Sequence, residues 1–196
     1  MGVLSKIPAA ILMGGALALT MVTPAVAQSG TELPNDVTCV FEAVGPEMQE
    51  NAQFLIFVLM RSGRSLDDSA EVEEELEAII ALAHDQCIDL YPWASGESAN
   101  AQLYAYLRIF GGALSDALRE RGDDPDAIDA YFDGNLSRFG KATRLSATEK
   151  SRLRTHLEEL GWDLTKPGLA DMAENRLEIA MALNQLNRGF RLNKFY

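Results

Sequence analysis

The sequence predicts an all-α fold, a bundle of five to six helices that follows a cleaved N-terminal signal peptide. Apolar residues recur at steps of three and four over most of the chain, as they do on the buried face of a helix. Alternating runs of β-branched and aromatic residues between turn dipeptides, which would predict strands, are nearly missing. Two cysteines, Cys39 and Cys87, add a predicted disulfide that clamps the first two main helices as an antiparallel hairpin.

The N-terminus has the pattern of a secretory signal peptide. Lys6 precedes an apolar run over residues 7–22, and small residues follow at Ala25 and Ala27, the positions that signal peptidase reads. We therefore expect residues 1–27 to be removed. A chain exported in this way is expected in the periplasm or secreted, with no stable membrane span after cleavage.

The predicted disulfide follows from the placement of the cysteines. Cys39 and Cys87 each lie 24 residues from Gly63, which stands in a loop-like stretch. Folding the chain back at this glycine brings the cysteines together, in a compartment where disulfides persist. Closing a loop of about 48 residues stabilises the fold by up to roughly 4 kcal/mol in the entropic model. We expect a structural bond, because redox chemistry more naturally uses a Cys-x-x-Cys arrangement, which this chain lacks.

The first two main helices are predicted from Pro46 to about Arg61 and from Ser69 to Tyr91. In the first of them, residues 54–60 are apolar on every side, which is typical of a central helix. In the second, glutamates crowd the first turns, where they favour the positive end of the helix dipole. These two helices form the predicted hairpin.

A third helix is predicted from about Ser98 to Arg121, with Gly111-Gly112 in its middle. Glycine costs about 1 kcal/mol relative to alanine inside a helix. We therefore expect that another helix packs closely at this point or that the helix bends.

Three short sequence patterns mark the starts of the remaining predicted helices. Asp123-Asp124-Pro125 opens a fourth helix, Ser146 with Glu149 forms a capping-box pattern for a fifth, and Gly168 opens a sixth. The predicted organisation is therefore a lead-in, a single helical-bundle domain and a basic aromatic C-terminal tail, over residues 28–45, 46–188 and 189–196.

The charge is distributed unevenly along the chain. Residues 28–137 hold 22 acidic and 5 basic side chains, whereas residues 138–196 hold 7 acidic and 11 basic ones. An acidic surface repels nucleic acid phosphates and anionic lipid headgroups, so neither is expected as a partner of most of the molecule. The partner is unknown at this point, and another envelope protein is left open. The basic tail either docks on the bundle or projects, and docking is favoured because it covers exposed aromatic residues.

The inventory of reactive groups is short. His84 and His156 are the two histidines and fall on different predicted helices. His84 and Cys87 have the spacing of metal ligands, but a cysteine in a disulfide cannot bind a metal. The acidic run over residues 123–134 lacks the ligand spacing of a calcium loop and fits helix capping instead. We therefore expect no metal and no cofactor, and the sequence identifies no catalytic residue.

Aromatic residues near the end of the second helix are the candidates for a pocket. These candidates are His84, Tyr91, Trp93 and Tyr104. Such side chains either line a small-molecule site or belong to the core with a hydrogen-bonded polar tip.

The segment from Thr38-Cys39 to Cys87 resembles in its layout the small acid-stress chaperones of the periplasm, the HdeA type. In that type, too, a single disulfide joins two helices of an exported protein. The resemblance covers about the first third of the mature chain and implies a chaperone that responds to acid.

Three classes of function remain. A non-enzymatic binding or scaffolding module of the envelope fits best, because such a module needs a surface and a stable core. The alternative is a periplasmic stress chaperone. The second alternative is an enzyme with an unrecognised site, which would need a pocket that gathers His84 or His156 with carboxylates.

Overall fold

The structure is a computed structural model that describes residues 37–62, 69–139 and 142–191. Within these ranges the regular secondary structure is helical, which confirms the predicted all-α class for this part of the chain. Eight helices follow one another: α1 (Cys39–Val44), α2 (Pro46–Arg61), α3 (Ala70–Ile88), α4 (Ser95–Glu120), α5 (Asp126–Gly134), α6 (Leu136–Phe139), α7 (Ala147–Glu159) and α8 (Leu169–Arg191). The predicted signal peptide, the first part of the lead-in and the last five residues of the tail lie outside the described residues.

Local sequence signals set the ends of several helices. Pro46 is the first residue of α2, where its missing N–H costs no hydrogen bond. The Ser146 hydroxyl accepts a hydrogen bond from the backbone N–H of Glu149 (3.2 Å), so the predicted cap of α7 is confirmed. Gly122 follows α4 with a φ of 84°, a conformation that favours glycine over residues with a side chain.

Two short helices raise the number above the five or six that the sequence predicts. The first is α1, which Gly45, with a φ of 75°, separates from α2. The second is α6, a single helical turn after α5. Both helices are too short for apolar residues to recur along one face, so the periodicity of the sequence does not reveal them.

The predicted disulfide between Cys39 and Cys87 is present, with the two Cα atoms 6.1 Å apart. Cys39 lies on α1, so the bond joins α1 to α3. Helix α3 packs mainly against α1 and α4 and makes few contacts with α2. The expected turn at Gly63 lies outside the described residues.

Helix α4 is the central helix, so the prediction that gave this place to α2 is wrong. Helices α1, α2, α3 and α8 all pack against α4, and 13 of its 26 residues are buried. Helix α2 buries only Ala52, Ile56 and Leu59 and leaves Phe54 and Val58 exposed. A helical segment that is apolar on every side is fully buried only where other elements pack against all of its sides. Among the described residues, helix α2 has no such neighbour on the side of Phe54 and Val58.

At the glycine pair of α4, helices α8 and α2 pack closely against α4. Helix α4 is continuous through both glycines. A Cβ atom on Gly111 would lie 3.2 Å from Ile179 Cγ2 of α8, and one on Gly112 would overlap the side-chain amide of Gln53 of α2. Of the two predicted reasons for the glycines, close packing is therefore the one observed.

The buried side chains form two apolar clusters, here called the first core and the second core. The first core joins α1, α2 and α3 to most of α4 and to the end of α8. The second core joins α5, α6 and α7 to the beginning of α8 and to Leu118 at the end of α4. Helices α4 and α8 thus connect the two cores. No helix within the described ranges combines the length and the apolar composition that a membrane span requires.

Candidate functional site

Three of the four predicted pocket candidates meet where α3 ends and α4 begins. His84 lies one turn before the end of α3, and its side chain is 10% exposed. Its Nε2 atom makes a short hydrogen bond with Ser98 Oγ in the first turns of α4. We call this place the α3–α4 joint, formed by His84, Tyr91, Trp93, Ser98 and Phe190.

The rings of the joint stack on one another. The Trp93 ring centroid lies 5.4 Å from that of Tyr91 with nearly parallel planes, and 6.2 Å from that of His84. Phe190 meets Trp93 edge to face at 6.2 Å and is itself only 3% exposed. Phe190 belongs to α8, which continues past the predicted end at residue 188. The end of α8 therefore docks on the joint.

The disulfide fixes the joint from the side of α1. Cys87 is fully buried and follows His84 by one turn of α3, so the bond to Cys39 anchors the same end of the helix. The backbone N–H of Tyr91 donates a hydrogen bond to the backbone carbonyl of Cys87 (2.9 Å). This hydrogen bond connects the ring stack to the disulfide-bonded end of α3.

Burial controls the charge of His84. Loss of hydration lowers the pKa of His84, and the nearby Asp85 carboxylate raises it by a smaller amount. The imidazole is therefore neutral at neutral pH. A neutral histidine against a serine hydroxyl is the pair that activates a nucleophile, but a third group must orient the imidazole. Asp85 is 80% exposed, and its Oδ1 atom lies 3.9 Å from Nδ1, beyond hydrogen-bond distance. The hydrogen bond between His84 and Ser98 joins α3 to α4.

The remaining candidates lie elsewhere. Tyr104 is a buried residue of the first core, 6% exposed, further along α4. His156 lies on α7, where its ring is 5.0 Å from the ring of Tyr131 in the second core. The two histidines therefore belong to different cores. Across the described residues, no three His, Cys, Asp or Glu side chains are placed to hold a metal ion.

The acidic run between α4 and α5 serves capping and pairing. Asp124 Oδ1 accepts a hydrogen bond from the backbone N–H of Asp126 (3.0 Å) at the start of α5. Asp123 is buried and lies 3.8 Å from Lys166 Nζ. Asp129 pairs with Arg176 at 2.7 Å. Asp124 and Asp129 thus stabilise α5 and its packing, whereas the buried Oδ2 atom of Asp123 has no hydrogen-bond partner among the described residues.

A second candidate site is an exposed stripe on α2, which we call the α2 face: Glu47, Glu50, Phe54, Val58 and Arg61. Phe54 is 63% exposed and Val58 is 44% exposed, one turn apart. Glu47, Phe54 and Arg61 follow at steps of seven residues, close to two helical turns, and therefore lie nearly in line. The stripe begins with acids and ends with a cation.

A small hollow lies beside the α2 face. Its volume is about 130 Å³, below the roughly 300 Å³ at which small-molecule pockets begin, so it fits a side chain better than a cofactor. Arg61 and Arg121 lie at its rim, and Arg61 is also paired with Glu120 at 2.8 Å. The lining residues are Phe57, Met60, Arg61, Ala117, Glu120, Arg121 and Met172.

The chain matches no protein-family model, no curated protein and no solved structure. The resemblance to the acid-stress chaperones of the periplasm therefore stands on the layout of the disulfide alone. In this structure the disulfide joins two helices, α1 and α3, that share a core with α4 and α8.

Sequence reasoning missed Ser98 and the α2 face. Ser98 has no sequence signal, because its partner His84 reaches it only once α3 and α4 pack together. The α2 face did have a signal, the steps of seven residues from Glu47 to Phe54 and Arg61. Reading residues 54–60 as a fully buried run concealed it.

Proposed function

We propose that this chain is an exported binding module of the bacterial envelope and that the α2 face is its contact surface. One observation carries the proposal, the exposure of Phe54 (63%) and Val58 (44%) in adjacent turns of one helix. Covering such surface is worth about 25 cal/mol per Å² of apolar area removed from water. Aromatic side chains are also frequent anchors of protein interfaces.

The α2 face stands on a rigid support, which favours binding because little order has to be gained. Ile56, on the opposite side of α2, is 1% exposed. Gln49 Nε2 donates a hydrogen bond to the backbone carbonyl of Phe41 in α1 (2.6 Å). Gln53 packs against Gly112 of α4. The helix that carries the contact side chains is therefore held in place before a partner arrives.

Export is the second part of the proposal. It is supported by the signal-peptide pattern over residues 1–27 and by the disulfide between Cys39 and Cys87, which suits an oxidising compartment. Intact-mass measurement of the periplasmic fraction should find a chain that begins at Gln28. A full-length product retained in the membrane would contradict export.

Photo-cross-linking tests the contact surface. A photoreactive phenylalanine analogue at position 54 should give an adduct of defined mass in intact cells. The same analogue at Leu160, which is 55% exposed just after the end of α7, is the matched control and should give none. Binding of the captured protein, repeated with purified components, should be lost in the Phe54→Ser, Val58→Ser double variant. Equal labelling at positions 54 and 160 would contradict the proposal.

A response to acid is the second candidate function, and the buried state of His84 favours it. Because burial lowers the pKa of His84 below its ordinary 6.5, the unfolded chain binds the proton more readily than the folded chain. The stability that the neutral imidazole contributes is complete above pH 6.5 and is lost as the pH falls below that value. Acid therefore loosens the α3–α4 joint, where the aromatic rings are packed.

Two measurements test this second candidate. An apolar dye should bind more strongly at pH 5 than at pH 7.5, and aggregation of an acid-denatured client should be suppressed only at the lower pH. Both effects should weaken in the His84→Gln variant, which does not titrate. Dye binding that is independent of pH would exclude the acid response.

A further inference from the structure

We propose that the occupant of the α2 face is a second copy of this chain, packed antiparallel about a two-fold axis that passes beside Phe54. This inference rests on the proposed function and names the partner of the same surface. Closed two-fold dimers are the commonest assemblies of soluble proteins, and they require a surface that is complementary to itself. The α2 face has that property.

The order of charges along the face supplies the first argument. Phe54 is the midpoint between Glu47 and Arg61, seven residues from each. When two α2 helices lie antiparallel with their Phe54 residues opposed, Glu47 of each copy therefore stands opposite Arg61 of the other. The Arg61 side chain is 68% exposed, so it can reach a partner while it remains near Glu120. A parallel arrangement would instead oppose the acids of the two copies.

The flank of the face supplies the second argument. In the same antiparallel register, Glu50 of the second copy lies opposite residue 58, on the side of the helix where the hollow opens. Arg61, Arg121 and Glu120 line this hollow, and Arg61 is paired with Glu120 at 2.8 Å. A carboxylate that enters the hollow therefore meets two cations and one carboxylate, a net positive lining, and the volume of the hollow, about 130 Å³, suits a side chain of this size.

The proposed interface is small. Helix α2 has 16 residues, which at 1.5 Å per residue give a contact about 24 Å long. A single helix face of this length falls below the roughly 800 Å² per partner of a standard interface. The dimer is therefore weak and transient, and it forms at high local concentration.

A single introduced cysteine tests the two-fold axis. The native cysteines are both in the disulfide, so the Phe54→Cys variant has one free thiol, at the axis. Under mild oxidation it should form covalent dimers at least about tenfold faster than the Leu160→Cys variant, whose position is similarly exposed. Equal rates for the two variants would overturn the inference. If the photo-cross-linker at position 54 still captures another protein in that case, the proposed function stands and only the identity of the partner is wrong.

Charge reversal tests the register without a covalent bond. Glu47→Arg and Arg61→Glu should each weaken dimerisation about tenfold in sedimentation equilibrium, because each places like charges in opposition twice per dimer. The combined Glu47→Arg, Arg61→Glu variant should recover the wild-type constant. Additive weakening in the combined variant would overturn the antiparallel register.

Discussion

The first core and the second core are stabilised in different ways. In the first core, a covalent bond between Cys39 and Cys87 joins helices whose contacts are mostly apolar. In the second core, the buried carboxylate of Glu174, 3% exposed, accepts hydrogen bonds from Lys150 (2.6 Å) and Arg154 (2.7 Å). Both cores are apolar, and a covalent constraint is added in the first whereas ionic contacts between α7 and α8 are added in the second.

This difference bears on the uneven charge of the sequence. The acids of α3 largely face solvent, whereas several cations of the second half bind carboxylates inside the fold. Arg176 donates to Asp129 (2.7 Å) and to Ser115 Oγ (3.1 Å), so a cation of the basic half pairs with an acid of the acidic half. Burial raises the pKa of Asp129, and Arg176 lowers it. Part of the charge difference between the two halves of the sequence is therefore balanced by ion pairs within the fold.

Removal of the disulfide should have the largest effect. Replacing both Cys39 and Cys87 by serine removes a constraint on a loop of 48 residues, and the free energy of unfolding should fall by up to roughly 4 kcal/mol. The melting temperature should then fall by about 10 °C. Hydrogen exchange should accelerate first in α1 and α3. Equal acceleration in α7 would show that the two cores unfold as one unit.

Loss of the buried carboxylate in the second core should have an intermediate effect. In Glu174→Ala, Lys150 and Arg154 lose their acceptor but remain partly hydrated, so we expect a loss of about 2 kcal/mol in urea unfolding. The control is Glu158→Ala, at an exposed position of α7, which should change stability by less than about 0.5 kcal/mol. Similar losses in the two variants would refute the structural role of the ionic contact.

The glycine pair of α4 offers the smallest and most discriminating test. Alanine gains about 1 kcal/mol over glycine in a helix. In Gly112→Ala the flexible Gln53 side chain can move aside, so stability should stay equal or rise by up to about 1 kcal/mol. In Gly111→Ala the new methyl group presses on Ile179 of α8, and we expect a net loss of about 1 kcal/mol. Relative to the wild type, the melting temperature should therefore fall in Gly111→Ala and stay equal or rise in Gly112→Ala, and equal shifts in the two variants would contradict the assigned contacts.

The candidate sites were predictable only in part. Proximity of Tyr91 and Trp93 follows from a separation of two residues, and His84 is near them because it precedes them by about two turns. Ser98 could not be assigned to His84, since the sequence does not say how α3 and α4 turn at Pro92. The exposure of Phe54 was equally hidden, because the same apolar run fits a buried helix and a helix at the surface.

The sequence by itself determined the helical class, the start of α2 at Pro46, the cap at Ser146 and the pairing of the two cysteines. The first three depend on interactions within a few residues along the chain, which leave a readable pattern. The pairing follows because only two cysteines are present. Only the tertiary structure decided that α4 is central and that α2 lies at the surface. Burial depends on contacts between distant residues, such as Gly111 with Ile179, and a local pattern contains no record of which helices will meet.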